Sequence, residues 1–339
     1  MKPWSKTFAG RVEEHTITSE LLRGNRRGDP HERPIYVYVP PGYDTSTERL
    51  PTIYMLQGWT GQIDMWRNRN AFRPNALELF DELFESKKAP PAILVFPDAW
   101  TSWGGSQFLD SPALGPYHSY LCNEVVAWVD AHYRTNAHRD HRAVTGKSSG
   151  GSGAMMNAML RPDVFGAFAT HAGDALFEHC YQPHFPKNVR VLRDAYDGSF
   201  ENFFADHATR PAFSKSSDMS LLSDWSMASC YSADADGTVQ LPYDLRTGEL
   251  RPEIWARWLD NDPVRLARKK HEALRSMRAV YIDAGKQDDF NLDLGATAFH
   301  REVVAAATKE VFFELFNATH FAIEYRYPKA VSWLLERMQ

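Results

Sequence analysis

A serine within a glycine-rich turn is the first feature of the sequence that could perform chemistry. Residues 146–150 are Gly-Lys-Ser-Ser-Gly, a G-x-S-x-G pattern centred on Ser148. A short apolar strand is predicted before the pattern and a helix after it, and this strand–turn–helix context is typical of a nucleophilic serine. The glycines remove side chains that would collide with the strand and the helix. The pattern predicts that Ser148 is a nucleophile; the alternative is that Ser148 or Ser149 only caps the helix.

A serine nucleophile requires a general base, and the base requires an acid that orients it. In hydrolases with this type of serine, the order along the chain is serine, acid, histidine. His320 follows a predicted strand over 311–316 and is the candidate base. The other histidine near the end of the sequence, His300, lies in a predicted helix among apolar residues, so we expect it to be structural.

Four aspartates near the end of a predicted strand over 279–283 are candidates for the acid. Asp283 closes the strand, and Asp293 is expected to cap the following helix, which are ordinary structural roles. Asp288 is the preferred acid, and Asp289 is the alternative.

The oxyanion that forms during acyl transfer is stabilised by two backbone N–H groups. One is expected from Ser149, because the start of a helix has free N–H groups. The other is expected from the loop after an earlier strand. Residues 57–61 follow the predicted strand over 52–56, and Trp59 is the candidate donor because Gly58 lets the backbone turn. The alternative is an ordinary glycine turn.

The elements that must position these residues alternate along the chain. Two strand-like runs, over 12–22 and 35–39, predict an antiparallel pair at a sheet edge. Apolar strands and amphipathic helices then alternate, which predicts an α/β fold with a mostly parallel central sheet and helices on both faces. The alternation lapses over about 175–262 and resumes with a predicted helix over 263–277. We therefore predict a single domain, 1–339, with a cap insertion.

The composition is that of a folded protein without unusual partners. Of 339 residues, 43% are hydrophobic and 24% charged, which is enough apolar material for a core and too little charge for disorder. The net charge is -5 without blocks of like charge, so no nucleic acid partner is expected. The three cysteines are widely separated and suit neither a disulfide framework nor a metal site. Because no histidine and carboxylate spacing resembles a metal site either, we expect no metal and no other cofactor.

The start of the chain and its apolar runs bear on localisation. The first fifteen residues lack the apolar run of a signal peptide, and no run of about eighteen apolar residues occurs anywhere. We expect a cytoplasmic protein that does not enter membranes. Formation of a homo-oligomer is left open by the sequence.

Several segments together match motifs of one family: VYVPPGY at 37–43, TIYMLQGWTG at 52–61, LVFPDAW at 94–100, TGKSSGG at 145–151, DAGKQDDF at 283–290 and THF at 319–321. On these segments the chain resembles the putative esterase (esterase D-like) family of α/β hydrolases. That family includes S-formylglutathione hydrolases, enterochelin-type and feruloyl esterases, and antigen 85 mycolyltransferases. The resemblance implies an α/β-hydrolase fold, and its G-x-x-D-x-F context for the acid falls on Asp288.

Two positions depart from the S-formylglutathione hydrolases. Lys147 stands where a histidine is common, and the sequence around His320 lacks an Asp-His-Ser-Tyr pattern. These departures count against a glutathione thioester as the substrate. The expected activity is hydrolysis of a small-molecule carboxylic ester through an acyl-enzyme. Acyl transfer to an alcohol and cleavage of a thioester or peptide are alternatives, and a non-catalytic binding protein is the alternative from another class.

Residues at the carboxyl ends of strands could bind the substrate, because open α/β sheets bind ligands there. Trp100 and Trp103 follow a predicted strand over 93–96 and are the candidate substrate-binding residues. His171 and Asp174 also follow a strand, where we expect a substrate contact or a hydrogen-bonded loop pair. The insertion is rich in aromatic residues that could line an acyl pocket or form its own core, namely Tyr181, Tyr196, Phe203, Phe204, Trp225, Tyr231, Trp255 and Trp258.

Overall fold

An eight-stranded sheet forms the centre of the protein in the computed structural model, which describes residues 7–69, 72–211 and 213–338. Its strands lie side by side in the order β1-β2-β4-β3-β5-β6-β7-β8. In chain order they are β1 (Arg11–Thr18), β2 (Glu32–Val39), β3 (Thr52–Leu56), β4 (Ile93–Pro97), β5 (Arg142–Lys147), β6 (Ala167–His171), β7 (Ala279–Gly285) and β8 (Val311–Phe316).

The strand directions follow the sequence pattern. The pair β1–β2 is antiparallel and lies at one edge, and β2 is antiparallel to β4, which confirms the predicted edge pair. The strands from β3 to β8 pair in parallel. Every residue of β3, β4, β6 and β7 is buried, as expected for apolar strands covered on both faces.

Helices connect the parallel strands and cover the sheet. They are α1 (Ala76–Glu85), α2 (117–132, π-helical over Tyr120–Val125), α3 (Ser149–Leu160), α4 (Phe177–Cys180), α5 (Phe185–Tyr196), α6 (Phe200–Ala208), α7 (Asp218–Tyr231), α8 (Pro252–Asp260), α9 (Pro263–Lys269), α10 (His271–Arg275), α11 (Leu292–Ala305) and α12 (Tyr327–Arg337). The single helix predicted over 263–277 is wrong, because the chain breaks at Lys270 into α9 and α10.

Two apolar clusters lie on opposite faces of the sheet. One contains Phe80 of α1 and Leu334 of α12, and the other contains Met155 of α3 and Phe299 of α11. This arrangement confirms the predicted α/β fold with helices on both faces. No helix in the described part of the chain has both the length and the apolar character needed to cross a bilayer.

The segment between β6 and β7 contains the helices from α4 to α10. Many of its aromatic side chains pack on each other: the ring centroids of Trp258 lie 5.6 Å from Tyr181 and 5.7 Å from Phe185. In addition, Trp59 in the loop after β3 contacts the insertion, because its Nε1 donates a hydrogen bond to Ser226 Oγ of α7 at 2.8 Å. The insertion therefore has an aromatic core and also contacts the loop after β3. Whether the whole chain is one domain stays a prediction.

A buried aspartate of α7 predicts a specific pH dependence of stability. Burial raises the pKa of Asp224 to about 7, although Asn188 and Tyr243 both donate hydrogen bonds to its carboxylate. The unfolded chain releases this proton near pH 4, so between about pH 4 and 7 the folded state binds more protons and loses stability as the pH rises.

Replacement of Asp224 by asparagine should remove this loss of stability with rising pH, because an amide does not titrate in this range. The amide keeps an oxygen that accepts both hydrogen bonds. The wild type should lose stability over this pH range and the variant should not. We therefore expect the free energy of unfolding of Asp224→Asn minus that of the wild type to increase by about 1–4 kcal/mol between pH 4.5 and 7.5. Urea unfolding of both proteins at several pH values measures this difference. A difference that does not change with pH would contradict the assignment.

Candidate active site

Ser148 lies at a sharp turn between β5 and α3. Its backbone is in the left-handed half of conformational space, with φ 58° and ψ -128°, which is strained for a residue with a side chain. The Ser148 N–H donates to the carbonyl oxygens of His171 and Ala172 at 3.0 and 3.1 Å, which holds the turn. The residue is partly exposed, and its side chain makes no capping hydrogen bond to α3. Ser148 therefore occupies the N-cap position, but the alternative that its side chain only caps the helix is wrong.

The glycines of the motif permit close backbone contacts. A Cβ atom on Gly146 would lie 2.4 Å from the carbonyl carbon and oxygen of Gly150, and one on Gly150 would lie 2.3 Å from the oxygen of Leu56. These atoms are backbone and cannot move aside as a flexible side chain would. The expectation that side chains at these two positions would collide with strand and helix is confirmed.

Gly146→Ala should therefore destabilise the protein. We expect the free energy of unfolding to fall by about 2–3 kcal/mol, because a methyl group cannot fit without moving the backbone of the turn. Gly58→Ala is a matched control, since its added Cβ would lie 3.5 Å from the nearest atom, an ordinary contact. Chemical unfolding of the two variants tests this, and equal stabilities would contradict the steric argument.

His320 and Asp288 form a hydrogen-bonded pair in the loops after β8 and β7. The distance from His320 Nδ1 to Asp288 Oδ2 is 2.8 Å, and both side chains are buried. The other oxygen of Asp288 accepts from the backbone N–H groups of Phe290 and Leu292, at 2.9 and 3.3 Å. The carboxylate is thus fixed at the start of α11 and orients the imidazole through Nδ1, which leaves Nε2 for proton transfer.

The other aspartates of this region have different partners. Asp289 Oδ2 accepts the backbone N–H of His320 at 3.1 Å and does not bind the ring through any hydrogen bond of the described residues. Asp283 is buried and binds His171 Nδ1 and Arg326 Nε, at 2.6 and 2.8 Å. Although burial opposes ionisation, the interactions with His171 and Arg326 lower the pKa of Asp283.

Two structural expectations for α11 have different outcomes. Asp293 does not cap the helix, because the N-cap is Asn291 and Asp293 lies in the first turn, so that expectation is wrong. The ring of His300 stacks on Phe313 at a centroid distance of 4.2 Å, which supports its structural role.

The hydroxyl of Ser148 has an unexpected partner. Ser148 Oγ donates to Asp174 Oδ1 at 3.4 Å, and among the described residues it forms no hydrogen bond with His320. The other oxygen, Asp174 Oδ2, accepts from Ser149 Oγ at 2.9 Å and from Tyr181 OH at 2.8 Å.

The expected loop pair of His171 with Asp174 is therefore wrong. His171 points to Asp283, whereas Asp174 points to the two serines of the motif. The only sequence signal for Asp174 was its position after a buried strand, which does not say toward which side the carboxylate turns. Burial raises the pKa of Asp174 even though Tyr181 and Ser149 favour the ionised form.

The loop after β3 lies beside the nucleophile. A Cβ on Gly58 would be 3.5 Å from the carbonyl oxygen of Lys147 and 3.8 Å from Ser148 Cβ. The carbonyl of Trp59 accepts from Gly105 N–H at 2.7 Å, and no hydrogen bond among the described residues uses the Trp59 N–H. Ser149 is the first residue of α3, so its N–H has no acceptor within the helix. Both candidate donors are thus near Ser148 and unengaged within the described chain.

The two candidate substrate-binding tryptophans have different surroundings. Trp103 packs against Phe204 and Trp225 of the insertion, at ring distances of 6.3 and 5.7 Å, and Arg27 lies 3.7 Å above its ring. Trp100 is 39% exposed. Trp103 also lies beside the loop after β3, because its carbonyl accepts from Trp59 Nε1 at 3.3 Å. Their roles in binding stay predictions.

Lys147, which departs from the pattern of the S-formylglutathione hydrolases, joins two parts of the site. Its Nζ lies 3.0 Å from Glu324 Oε1, four residues after His320. Burial opposes ionisation of Glu324, but the lysine lowers the pKa of this carboxyl. The ion pair therefore ties the nucleophile turn to the histidine loop.

Comparisons with known proteins identify the family of the chain. The family model described as Putative esterase matches residues 30–320. Esterase Rv1288 of Mycobacterium tuberculosis (strain ATCC 25618 / H37Rv) is 30% identical over 147 residues, which cover 42% of this chain and 29% of that protein. The chain spans less than two thirds of the length of the curated relatives it matches.

Solved structures share the fold. A ferulic acid esterase superposes with a TM-score of 0.62 at 19% identity, covering 98% of both chains. An S-formylglutathione hydrolase from Agrobacterium tumefaciens superposes with a TM-score of 0.57 at 19% identity, covering 99% of this chain and 98% of that one. At this level of identity the likeness extends to the fold alone.

Proposed function

The chain belongs to the putative esterase family, and we propose that it is a serine-dependent carboxylic-ester hydrolase that works through an acyl-enzyme. One observation carries the proposal. A serine in a strained turn at the start of α3 is joined, through the Lys147–Glu324 ion pair, to the loop of a histidine whose Nδ1 is bound by a buried carboxylate. This combination supplies a nucleophile and an oriented base.

In the proposed first step, Ser148 Oγ attacks the carbonyl carbon of the ester. His320 Nε2 takes the hydroxyl proton, and Asp288 holds the ring and stabilises the imidazolium that forms. Because no hydrogen bond joins Ser148 to His320 in the described structure, the Ser148 hydroxyl must redirect its hydrogen from Asp174 to the histidine when the substrate binds. Collapse of the tetrahedral intermediate transfers the proton from His320 to the leaving alcohol.

In the second step, water attacks the acyl-enzyme. His320 removes a proton from the water, and the acid is released as Ser148 recovers its proton. In both steps the negative oxygen would be stabilised by the N–H groups of Trp59 and Ser149. The proximity of Gly58 to Ser148 and the free N–H at the start of α3 support these two donors.

The reaction class is tested by turnover of graded p-nitrophenyl and hydroxycinnamoyl esters, with and without an added alcohol. We expect the free acid as the main product in both cases. An ester of the added alcohol as the main product would favour acyl transfer, and turnover of a glutathione thioester alone would favour thioester cleavage. No turnover of any ester or thioester by the folded protein would contradict the proposal and favour a binding protein.

A further inference from the structure

A second carboxylate lies at the nucleophile and has no part in the proposed proton transfer. Asp174 is 6% exposed and is fixed to the nucleophile turn, since its N–H donates to the Ser148 carbonyl at 3.4 Å. Its carboxylate faces the hydroxyl of the same serine. Any acyl group bonded to Ser148 Oγ would therefore begin within a few ångströms of Asp174.

The two oxygens of Asp174 differ in how well they are satisfied. Oδ2 accepts two short hydrogen bonds, from Ser149 and Tyr181. Among the described residues, Oδ1 has a single long contact, of 3.4 Å with Ser148 Oγ, although a carboxylate oxygen can accept two hydrogen bonds. No lysine, arginine or histidine of the described residues forms an ion pair with Asp174 within 4.0 Å. The oxygen that faces the nucleophile thus has spare capacity and no cation.

Acylation removes the one donor that Oδ1 has. When Ser148 Oγ becomes an ester oxygen it carries no hydrogen, so it can no longer donate to Asp174. A buried carboxylate oxygen left without a donor is unfavourable. A donor on the acyl group would restore the lost hydrogen bond in the acyl-enzyme and in the transition states on either side of it.

We propose that this enzyme prefers esters whose acyl group carries a hydroxyl or ammonium group on the carbon next to the scissile carbonyl, and that Asp174 Oδ1 accepts the hydrogen bond from that group. The inference rests on the proposed esterase function and names its substrate class. In the acyl-enzyme, the carbonyl carbon is bonded to Ser148 Oγ and the carbon next to it carries the donor. Such a donor reaches Asp174 Oδ1, which lies 3.4 Å from Ser148 Oγ. Apolar acyl groups would leave the acceptor unpaired.

The test compares phenyl esters that differ only at this carbon: 2-hydroxypropionate, 2-aminopropionate, 2-methoxypropionate and propionate. Each kcat/KM is divided by the rate of hydroxide-catalysed hydrolysis of the same ester, which removes differences in intrinsic reactivity. We expect the hydroxy and amino esters to exceed the methoxy ester by about 10-fold or more, the size typical of a hydrogen bond to a charged group. The methoxy ester keeps the oxygen and lacks the donor.

Three variants assign the preference to Asp174. Asp174→Ala should reduce the ratios of the hydroxy and amino esters to the methoxy ester to near one. Asp174→Asn keeps the side-chain shape and is used if the alanine variant does not fold; it should lose the preference for the amino ester. Tyr181→Phe is the matched control: it removes a partner of Oδ2 and leaves Oδ1 unchanged, so the preference should persist.

The outcomes separate this inference from the esterase proposal. Equal normalised kcat/KM for all four esters in the wild type, or an unchanged preference in a folded Asp174 variant, would overturn the inference while ester hydrolysis stands. If the wild type hydrolyses no ester faster than Ser148→Ala does, both the esterase proposal and this inference are contradicted.

Discussion

Ser148→Ala should lower kcat/KM for ester hydrolysis by about 10⁴- to 10⁶-fold, because it removes the proposed nucleophile that forms the acyl-enzyme. The variant should remain folded. The strained backbone at position 148 is held by hydrogen bonds from its N–H, which alanine retains, and the serine side chain makes only one long contact. Steady-state kinetics with an activated ester, together with thermal unfolding, measure both expectations.

A labelling experiment identifies the nucleophile independently of turnover. A fluorophosphonate or sulfonyl fluoride should modify one serine, and mass spectrometry of the digested protein should find the adduct on the peptide that contains Ser148. Ser152→Ala, a buried position one turn further along α3, is the control and should keep both labelling and activity. Normal turnover by folded Ser148→Ala would remove the proposed mechanism altogether.

Asp288→Asn should reduce kcat by about 10³- to 10⁴-fold, the next largest effect we expect. An asparagine amide can donate to His320 Nδ1, which places the imidazole hydrogen on Nε2 and blocks that nitrogen from accepting the serine proton. The oxygen that accepts from the backbone N–H groups of Phe290 and Leu292 is retained in this variant, so the loop should keep its conformation. The kcat of the two proteins, measured at saturating ester, gives the effect.

The neighbouring residue supplies the matched control. Asp289→Asn keeps a side-chain oxygen for the backbone N–H of His320, so its kcat should fall by less than about tenfold. A large loss in Asp289→Asn with little loss in Asp288→Asn would reverse the assignment of the acid. Similar losses in both would indicate that the loop as a whole is distorted.

Short-range patterns determined most of the fold and the candidate nucleophile. The strands over 52–56 and 311–316 both occur as predicted. The first is an uninterrupted apolar run that is buried throughout, as expected inside a covered sheet, whereas the second contains Glu314, lies at the sheet edge and is partly buried. The turn at Ser148 could be predicted because its requirements are local: a strand, two glycines and a helix within a few residues. The chain order of serine, aspartate and histidine came from the same parallel arrangement of strands.

Long-range contacts decided what the pattern left open. Asp288 and Asp289 are adjacent and chemically identical, and only the course of the loop after β7 turns one toward the imidazole ring and the other toward the backbone N–H of His320. Similarly, the packing of the insertion brings Tyr181 to Asp174, and backbone hydrogen bonds between the loop after β6 and the nucleophile turn bring Asp174 to Ser148. Sequence determines which groups are available at each strand end. Which of them meet depends on side-chain directions that are set by residues distant in the chain, and no local spacing encodes those directions.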